Sequence, residues 1–200
     1  MSDHYYSKKP HSQLQTETIK CTLRDRPLTF TTGSGVFSKK AIDFGTRLLI
    51  ESFTEPAVEG PFLDLGCGYG PIGIALASVY DERTVSMVDI NERAVYLSNE
   101  NIQRNEVENA RAFVSEGFAE VDEDQFAAII TNPPIRTGKK VLYPLIEKSA
   151  EHLRSDGEFW AVVQKKQGAP SFIKLLETLF REVHVVERSK GYYILRAVKR

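Results

Sequence analysis

The spacing of apolar and polar positions after Pro56 predicts an α/β protein. Short apolar runs that suit buried strands occur near residues 61–66, 84–89, 110–114, 126–131 and 157–164. Segments with the apolar spacing of helices alternate with these runs, near residues 70–80, 91–104, 139–154 and 170–180. Because strands and helices alternate with short connections, we expect right-handed crossovers and a mostly parallel sheet covered by helices on both faces.

The N-terminal segment has a different pattern. Residues 1–16 are polar and are expected to form a mobile arm. The β-rich runs Thr18–Leu23 and Leu28–Thr32 are separated by a polar turn, which predicts a hairpin. From Ser38 to about Phe53, apolar residues at helical spacing predict a helix that Ser38 caps.

The C-terminal pattern differs again. Val183–Glu187 and Tyr192–Val198 are strand-like and flank a tight polar turn that contains Lys190 and Gly191. We therefore expect a β-hairpin that closes the sheet, with the last strand running antiparallel to its neighbour. The chain shows no internal repeat and no low-complexity tract.

Composition excludes several classes of protein. The 200 residues suit one domain, and 42% apolar with 26% charged residues is ordinary for a soluble globular chain. No apolar run is long enough to span a bilayer, and the N terminus lacks the apolar core of a secretory signal. Cys21 and Cys67 are unclustered and fit neither a disulfide framework nor a zinc site, and the 4 histidines show no metal-like spacing. We expect a cytoplasmic protein without a metal or a membrane partner.

A glycine-rich turn follows the first apolar strand of the regular region. Gly66, Gly68 and Gly70 can adopt positive φ, so the backbone can fold sharply under a bound adenosine and approach it closely. Asp64, at the end of the strand, is placed to balance the ammonium group of a ligand. Asp89 ends the next strand, where a carboxylate can accept hydrogen bonds from both ribose hydroxyls. The sequence therefore predicts a nucleotide-sized pocket at the carboxyl end of a parallel strand.

The same turn also satisfies the G-x-G-x-x-G pattern of dinucleotide-binding proteins, over Gly68–Gly73, and Asp89 suits that interpretation too. In a dinucleotide fold, however, the first glycine directly follows the strand and the pyrophosphate meets the helix N terminus. Here Asp64 stands beside the turn and would repel a pyrophosphate. A cofactor with an ammonium group fits better than one with two phosphates. A tight strand–helix turn that binds nothing is the structural alternative.

A second turn, Asn132-Pro-Pro-Ile135, ends the apolar run Phe126–Thr131 and is expected at the same sheet edge. Two consecutive prolines lock φ and force Asn132 into an extended conformation. The turn can therefore aim one amide oxygen and nearby carbonyls in a fixed direction. Such acceptors suit a primary amine on a planar base, because they draw its lone pair out of conjugation and stabilise the developing positive charge.

These segments resemble class I S-adenosylmethionine-dependent methyltransferases over roughly residues 30–200, and more narrowly the catalytic domain of the small-subunit ribosomal RNA guanine-N2 methyltransferase family. The likeness is carried by Ser34–Ser38, Asp43–Thr46, Asp64–Gly70 and Asn132–Ile135. It implies a Rossmann-like, seven-stranded, mostly parallel sheet with helices on both faces and an antiparallel last strand. The methyltransferase domain would span residues 36–200, after an arm and hairpin extension over residues 1–35.

The resemblance also implies the cofactor, S-adenosylmethionine, and the residues that bind it. Asp64 and the turn would hold its methionine part, Asp89 its ribose, and Glu116 its adenine amine, although the family more often has aspartate at that last position. Phe37 and Thr46 would close over the cofactor. The full implied set is Phe37, Thr46, Asp64, Gly66, Cys67, Gly68, Gly70, Asp89, Ile90, Glu116, Gly117 and Asn132.

The catalytic residues implied by the resemblance are Asn132, Pro133, Pro134 and Ile135. Asn132 and the Pro133 carbonyl would orient the guanine amine for in-line displacement of the sulfonium methyl. The position of Ile135 is often aromatic in amino-methyltransferases, where it stacks on a flipped base. Isoleucine stacks more weakly, so another ring, such as Phe37 or Tyr192, supplies the face or the target is not a flipped base.

Basic residues cluster in loops that are expected at the active edge, namely Lys39, Lys40, Arg136, Lys139, Lys140, Lys165 and Lys166. Together they would form a rim for RNA phosphates, although the net charge of −1 excludes bulk electrostatic binding. Lys190, Arg196 and Lys199-Arg200 are interpreted as surface charge. The expected partner is ribosomal RNA, either alone or in a ribosomal particle.

Three other functions remain open at this point. The enzyme could methylate another amine, such as adenine N6, a small molecule or a protein. The chain could instead be a catalytically silent RNA-binding module, although intact Asp64, Asp89 and Asn132 argue against that. The third alternative is a dinucleotide-dependent oxidoreductase.

Overall fold

The computed structural model describes residues 13–36, 38 and 40–200, and the elements below lie within them. The strands are β1 (Thr16–Leu23), β2 (Arg26–Gly33), β3 (Phe62–Leu65), β4 (Val85–Asp89), β5 (Ala110–Val114), β6 (Phe126–Thr131), β7 (Leu153–Gln164), β8 (Glu182–Ser189) and β9 (Tyr192–Val198). The α-helices are α1 (Phe44–Ser52), α2 (Pro71–Ala77), α3 (Glu92–Arg104), α4 (Lys139–His152) and α5 (Ala169–Leu179). Single 3₁₀ turns occupy Ile135–Thr137 and Lys165–Gln167.

The main sheet has seven strands in the order β5-β4-β3-β6-β7-β9-β8. Neighbouring strands from β5 to β7 are parallel, whereas β9 runs antiparallel to both β7 and β8. The predicted fold, including the closing hairpin with its reversed last strand, is confirmed. The chain progresses outward from β3 to β5 and then returns to add β6 on the other side of β3. Ligands of open α/β sheets bind at such a switch point, beyond the carboxyl ends of the strands.

The central strands are continuous apolar runs because both faces of the sheet are covered. Every residue of β3 and β6 is buried, as expected for strands of a parallel sheet. Successive residues alternate between two cores. Phe62 and Trp160 pack in the core beneath α1, α2 and α3, while Leu63 and Phe159 pack in the core beneath α4 and α5.

The β1–β2 hairpin packs against α3 through two asparagine side chains one helical turn apart. The Asn101 amide accepts from Thr31 N at 2.6 Å and donates to Thr31 O at 2.8 Å. Asn105 does the same with the amide and carbonyl of Thr29, at 2.9 and 2.8 Å. These carboxamides form hydrogen bonds with the backbone N–H and C=O groups at the free edge of β2, as a neighbouring strand would. Phe30 completes the contact by joining the first hydrophobic core.

Two predicted boundaries were wrong. The first helix begins at Phe44, not near Ser38, and its cap is Asp43, whose carboxylate accepts from Gly45 N at 2.8 Å and Thr46 N at 3.2 Å. Ser38 has a φ of +54°, which is outside the helical region.

The second wrong boundary lies between α4 and β7. The helix ends at His152 and the strand begins at Leu153, before the predicted start at residue 157. Leu153 pairs with Phe126, and the next recorded partner pair is Ala128 with Glu158, so the intervening residues of β7 bulge out of the ladder. The apolar run that predicted this strand begins only after this bulge.

Candidate functional site

A cavity of about 390 Å³ lies at the carboxyl edge of the sheet, above β3, β4 and β6. Its volume is within the usual range for small-molecule sites. The structure brings most of the predicted site residues together in its wall, namely Thr46, Gly66, Cys67, Gly68, Asp89, Ile90, Glu116, Gly117, Asn132, Pro133 and Pro134. Predicted residues from four separate connections therefore meet at one place.

The glycine turn forms the floor of the cavity. Gly66 and Gly68 have φ values of +79° and +58°, and a Cβ at either position would meet nothing within 4 Å. Side chains there would project into open space that the bare backbone leaves to a ligand. Gly70 has a different role, because a Cβ there would lie 2.8 Å from Ile74 Cδ1. It does not line the cavity and instead permits the tight entry into α2.

Asp64 lies behind the turn and is not part of the cavity wall. Its Oδ2 accepts from Gly73 N at 2.8 Å, which ties β3 to the first turn of α2. Its Oδ1 is buried with no hydrogen-bond partner among the described residues. Burial raises the pKa of this carboxyl to about 7, against the opposing effect of the Gly73 amide. The side chain thus supports the turn from below.

Asp89 ends β4 and faces the cavity with its carboxylate held in place. Its Oδ2 accepts from Gly68 N and its Oδ1 from Asn91 N, both at 2.9 Å. Burial raises its pKa, while these backbone donors act in the opposite direction. Each carboxylate oxygen carries two lone pairs, so the pair can still accept hydrogen bonds from two adjacent hydroxyl groups.

The loop after β5 supplies the next part of the wall. Glu116 is exposed at the cavity rim, and Gly117, with a φ of +60°, turns the chain beside it. Ser115 is buried and fixes this turn, since its Oγ donates to Gly117 O at 2.8 Å and accepts from Glu120 N at 3.1 Å. The loop therefore presents a carboxylate from a constrained backbone.

Asn132 is oriented by α1, which the sequence did not indicate. Its Nδ2 donates to Thr46 Oγ1 at 2.9 Å and to Asp43 Oδ2 at 3.2 Å, and the Thr46 hydroxyl also donates to Asp43. Because an ionised carboxylate only accepts hydrogen bonds, the NH₂ group of Asn132 must face Asp43. Its Oδ1 therefore faces away from Asp43. Asp43 lines the cavity and belongs to the site. In the sequence, Asp43 is marked only as part of a segment that carries the family resemblance.

The two prolines give the Asn132 turn a defined shape. Ile135 N donates to Pro133 O at 2.8 Å, and Pro134, with φ −75° and ψ 68°, is the central residue of an inverse γ-turn. The Pro133 carbonyl keeps one lone pair for a ligand. Ile135 does not line the cavity; it packs against the second hydrophobic core.

Several apolar wall residues were not predicted. They are Val36, Leu65, Tyr69, Ile72, Val88, Val141 and Leu145. Most lie at strand ends or on helices that flank the turns, where the sequence pattern marks only burial. Cys67 lies in the wall with its thiol 3.6 Å from Ser98 Oγ, and burial raises the pKa of that thiol. It remains a packing residue, as its neutral form is favoured.

The charge of the wall distinguishes between cofactor classes. Among the described residues that line the cavity, Asp43, Asp89 and Glu116 are acidic and none is lysine, arginine or histidine. A pyrophosphate would be repelled at such a site, whereas a ligand with a positive charge would be stabilised. The cavity therefore fits a cationic nucleoside better than a dinucleotide.

The predicted basic rim lies outside the cavity. Five of its lysines are exposed: Lys40 precedes α1, Lys139 and Lys140 begin α4, and Lys165 and Lys166 lie in the 3₁₀ turn after β7. Phe37, Lys39 and the side chain of Arg136 lie outside the described residues. Lys190, interpreted from sequence as surface charge, lies at the tip of the β8–β9 turn on the same edge, with its Nζ 4.6 Å from the ring centroid of Phe44.

Within the described part of the chain, no helix combines the length and apolar character that a membrane span requires.

Comparison with known proteins agrees with this geometry. The model of the methyltransferase small domain family matches residues 27–196. Protein YbxB of Bacillus subtilis, which is uncharacterized, is 58% identical over 200 residues and matches along the full length of both chains. Ribosomal RNA small subunit methyltransferase C of Aeromonas hydrophila is 33% identical over 182 residues, which is 88% of this chain and 50% of the relative.

A solved structure is similar as well. The T. thermophilus 16S rRNA N2 methyltransferase RsmC, in complex with AdoMet and guanosine, superposes with a TM-score of 0.81 at 27% identity. The match covers 96% of this chain and 52% of that one, so the chain spans about half the length of these ribosomal RNA methyltransferases. The resemblance drawn from the sequence is confirmed. The chain belongs to the methyltransferase small domain family of S-adenosylmethionine-dependent methyltransferases.

Proposed function

We propose that this protein transfers a methyl group from S-adenosylmethionine to the exocyclic N2 amine of a guanine in small-subunit ribosomal RNA. The observation that carries the proposal is the Asn132 carboxamide, fixed by Asp43 and Thr46 beside an acidic, glycine-floored cavity. The ribosomal RNA methyltransferase activities of the A. hydrophila and T. thermophilus relatives, and the guanosine in the latter structure, support the same substrate class.

The cavity residues fit the cofactor in three respects. The bare backbone of Gly66 and Gly68 leaves room for its methionine portion, with Asp64 bracing the turn from behind. Asp89 can accept both ribose hydroxyls, and Glu116 can accept from the adenine amine. When bound, S-adenosylmethionine supplies a methyl group on a positively charged sulfur, and the acidic wall stabilises that charge.

The Asn132 turn would orient the nucleophile. Asn132 Oδ1 and the remaining lone pair of the Pro133 carbonyl can accept hydrogen bonds from the two N–H groups of a primary amine, which would reduce the conjugation of its lone pair with the ring. As the nitrogen bonds to the methyl carbon, the methyl–sulfur bond would break with its electron pair going to sulfur, which becomes a neutral thioether. The positive charge would pass to the nitrogen, where these preorganised dipoles would stabilise it until one N–H proton is lost to solvent. Positioning of the two reactants supplies a further part of the barrier reduction. The target base must be unstacked to reach this turn.

The proposal is tested by methylation of ribosomal RNA taken from cells that lack the gene. The purified protein is incubated with labelled S-adenosylmethionine and either 16S RNA or assembled small subunits, and the digested nucleosides are identified by mass spectrometry. We expect N2-methylguanosine. Label on adenine N6, a protein or a small molecule would identify another amine as the acceptor, and binding of the cofactor without transfer to any substrate would indicate a silent RNA-binding module.

Asn132→Ala separates transfer from cofactor binding. We expect kcat to fall by about 100-fold to 1,000-fold, the cost of removing one preorganised dipole from a transition state. Calorimetry should show an affinity for S-adenosylmethionine within a few-fold of wild type, since the cofactor's other contacts come from β3, β4 and β5. An equal loss of cofactor affinity would refute the role assigned to Asn132.

A further inference from the structure

An aromatic and amide cluster, formed by Phe44, Gln164 and Tyr192, lies at the same carboxyl edge of the sheet as the cavity, although none of the three residues lines the cavity. The rings of Phe44 and Tyr192 are 5.6 Å apart between centroids, at an angle of 54°. Gln164 Nε2 donates to the Tyr192 hydroxyl at 2.6 Å. All three side chains are half-buried, so each presents a face to solvent at the carboxyl edge of the sheet.

We infer that Phe44, Tyr192 and Gln164 form the wall that receives the target guanine, with Tyr192 supplying the stacking ring. The inference rests on the proposed function and names the substrate subsite that accompanies it. A base that presents its amine to Asn132 needs a planar apolar face, and Ile135 cannot supply one because its side chain packs into the second core. Aromatic rings are the usual platform for an unstacked base.

The cluster is linked to Asn132 through Asp43 and through neighbouring strand ends. Phe44 follows Asp43, which accepts a hydrogen bond from Asn132 Nδ2 at 3.2 Å. Gln164 ends β7, the neighbour of the strand that Asn132 follows, and Tyr192 is its partner in the β7–β9 ladder. The wall and the Asn132 turn therefore lie on adjacent strand ends.

Tyr192 is held in position by Gly45. A Cβ at Gly45 would lie 2.7 Å from Tyr192 Cε1, so the ring lies directly against the backbone of the first turn of α1. The contact with Gln164 at the other end fixes the hydroxyl. A ring whose position is set at both ends loses little conformational freedom when a base stacks on it.

Polar groups around the ring suit a nucleotide. Gln164 has a carboxamide that can both donate to and accept from the edge of a base. Lys190 Nζ lies 4.6 Å from the Phe44 ring centroid, and Lys165 N donates to Gly191 O at 2.8 Å, which joins the two lysine-bearing turns. Lys165 and Lys166 are exposed directly after Gln164. An aromatic ring with ammonium groups at its border matches the base and phosphate of a single-stranded nucleotide.

Substitution of adjacent tyrosines tests the inference. Tyr192→Leu removes the ring and keeps apolar bulk, Tyr192→Phe keeps the ring, and Tyr193→Leu is the matched control on the opposite face of the same strand. With 16S RNA from cells lacking the gene, we expect Tyr192→Leu to lower kcat/KM by about 5-fold to 150-fold, the effect of losing one base stack. Tyr192→Phe keeps the ring but loses the Gln164 contact, so its kcat/KM should lie between those of the wild type and Tyr192→Leu. Tyr193→Leu should remain within a few-fold of wild type, and the affinity for S-adenosylmethionine should be unchanged in all three.

The outcomes distinguish a failure of the inferred base-binding wall from a failure of the proposed function. Equal effects of Tyr192→Leu and Tyr193→Leu would overturn the inference. If Tyr192→Leu fails to bind S-adenosylmethionine because it misfolds, Gln164→Leu takes its place, and unchanged kcat/KM there would overturn the inference as well. If the wild type methylates no ribosomal RNA, the proposed function fails. The wall is then tested by the anisotropy of a labelled guanine-containing oligoribonucleotide, whose binding must weaken in Tyr192→Leu but not in Tyr193→Leu.

Discussion

The Asn132 carboxamide is oriented by two acceptors, Asp43 and Thr46, and Asp43→Asn tests the contribution of the charged one. In the wild type, Asp43 Oδ1 accepts from Gly45 N, and Asp43 Oδ2 accepts from both Thr46 N and Asn132 Nδ2. Asparagine is as good an N-cap as aspartate, so the helix should be retained. With its oxygen kept on Gly45 N, the shorter of the two cap bonds, asparagine places its NH₂ group where Oδ2 stood, and that group cannot accept from Asn132. We therefore expect the Asn132 carboxamide to rotate and to direct its NH₂ group, instead of Oδ1, at the substrate amine.

The size of the effect follows from the bond that is lost. A hydrogen bond to a charged group contributes about 1.5–3 kcal/mol, which corresponds to about 13-fold to 160-fold in population. We expect kcat to fall within that range. Thr46→Val should lower kcat less, because Asp43 still accepts from Asn132. Thr46→Ser keeps the hydroxyl and serves as the matched control for the helix position.

The assay measures kcat for methyl transfer to 16S RNA and, separately, the affinity for S-adenosylmethionine by calorimetry. Asp43 also lines the cavity, so its charge could act on the cofactor directly. That alternative predicts weaker cofactor binding in Asp43→Asn, whereas the positioning role predicts affinity within about twofold of wild type. An unchanged kcat, or a loss of cofactor affinity as large as the loss of kcat, would refute the positioning role.

Three other perturbations address the cofactor side, stability and the rim. Asp89→Ala should weaken S-adenosylmethionine binding by about 10-fold or more, since the two proposed contacts with the ribose hydroxyls and the bond from Gly68 N would be lost; equal calorimetric affinity would refute the proposed ribose contact. The pKa of Asp64 is raised to about 7, so its contribution to stability is present at low pH and is lost as the pH rises from about 4 through 7. In urea unfolding, Asp64→Asn should flatten that decline, and a decline equal to wild type would show that other groups cause it. Charge reversal at Lys139-Lys140 and Lys165-Lys166 should weaken RNA binding and lower its salt dependence by about 0.7–0.9 per lost phosphate contact, and an unchanged slope would place the rim elsewhere.

The cofactor side of the site was predictable because its determinants are local. Gly66, Gly68 and Asp89 each follow an apolar strand at short range, and parallel strands bring their carboxyl ends to one edge. The same rule placed Asn132 beside them, since β6 adds next to β3. Asp64 does not follow this rule, although its position in the strand was predicted correctly. Strand alternation directs its side chain beneath the turn, where Oδ2 accepts a hydrogen bond from Gly73 N instead of facing the cavity.

The substrate side depends on contacts between distant segments, which no local sequence pattern indicates. Asp43 and Asn132 are 89 residues apart, and Thr46 and Asn132 are 86 apart. A helix boundary that is wrong by a few residues hides such a contact completely. With the predicted start near Ser38, Asp43 would have been an interior helical residue with no cap to form.

This difference explains why the class of the enzyme is easier to determine than its substrate. The glycine turn that forms the cavity floor follows β3, and the carboxylate proposed to bind the ribose belongs to Asp89 at the end of β4. The groups proposed to contact the base come from α1, β7 and β9. Asn132 belongs to both sides, because it follows β6 and its side chain donates a hydrogen bond to Thr46 in α1. A change such as isoleucine at position 135 can therefore alter the substrate side while the cofactor turn stays intact, provided that another ring, here Tyr192, covers the base.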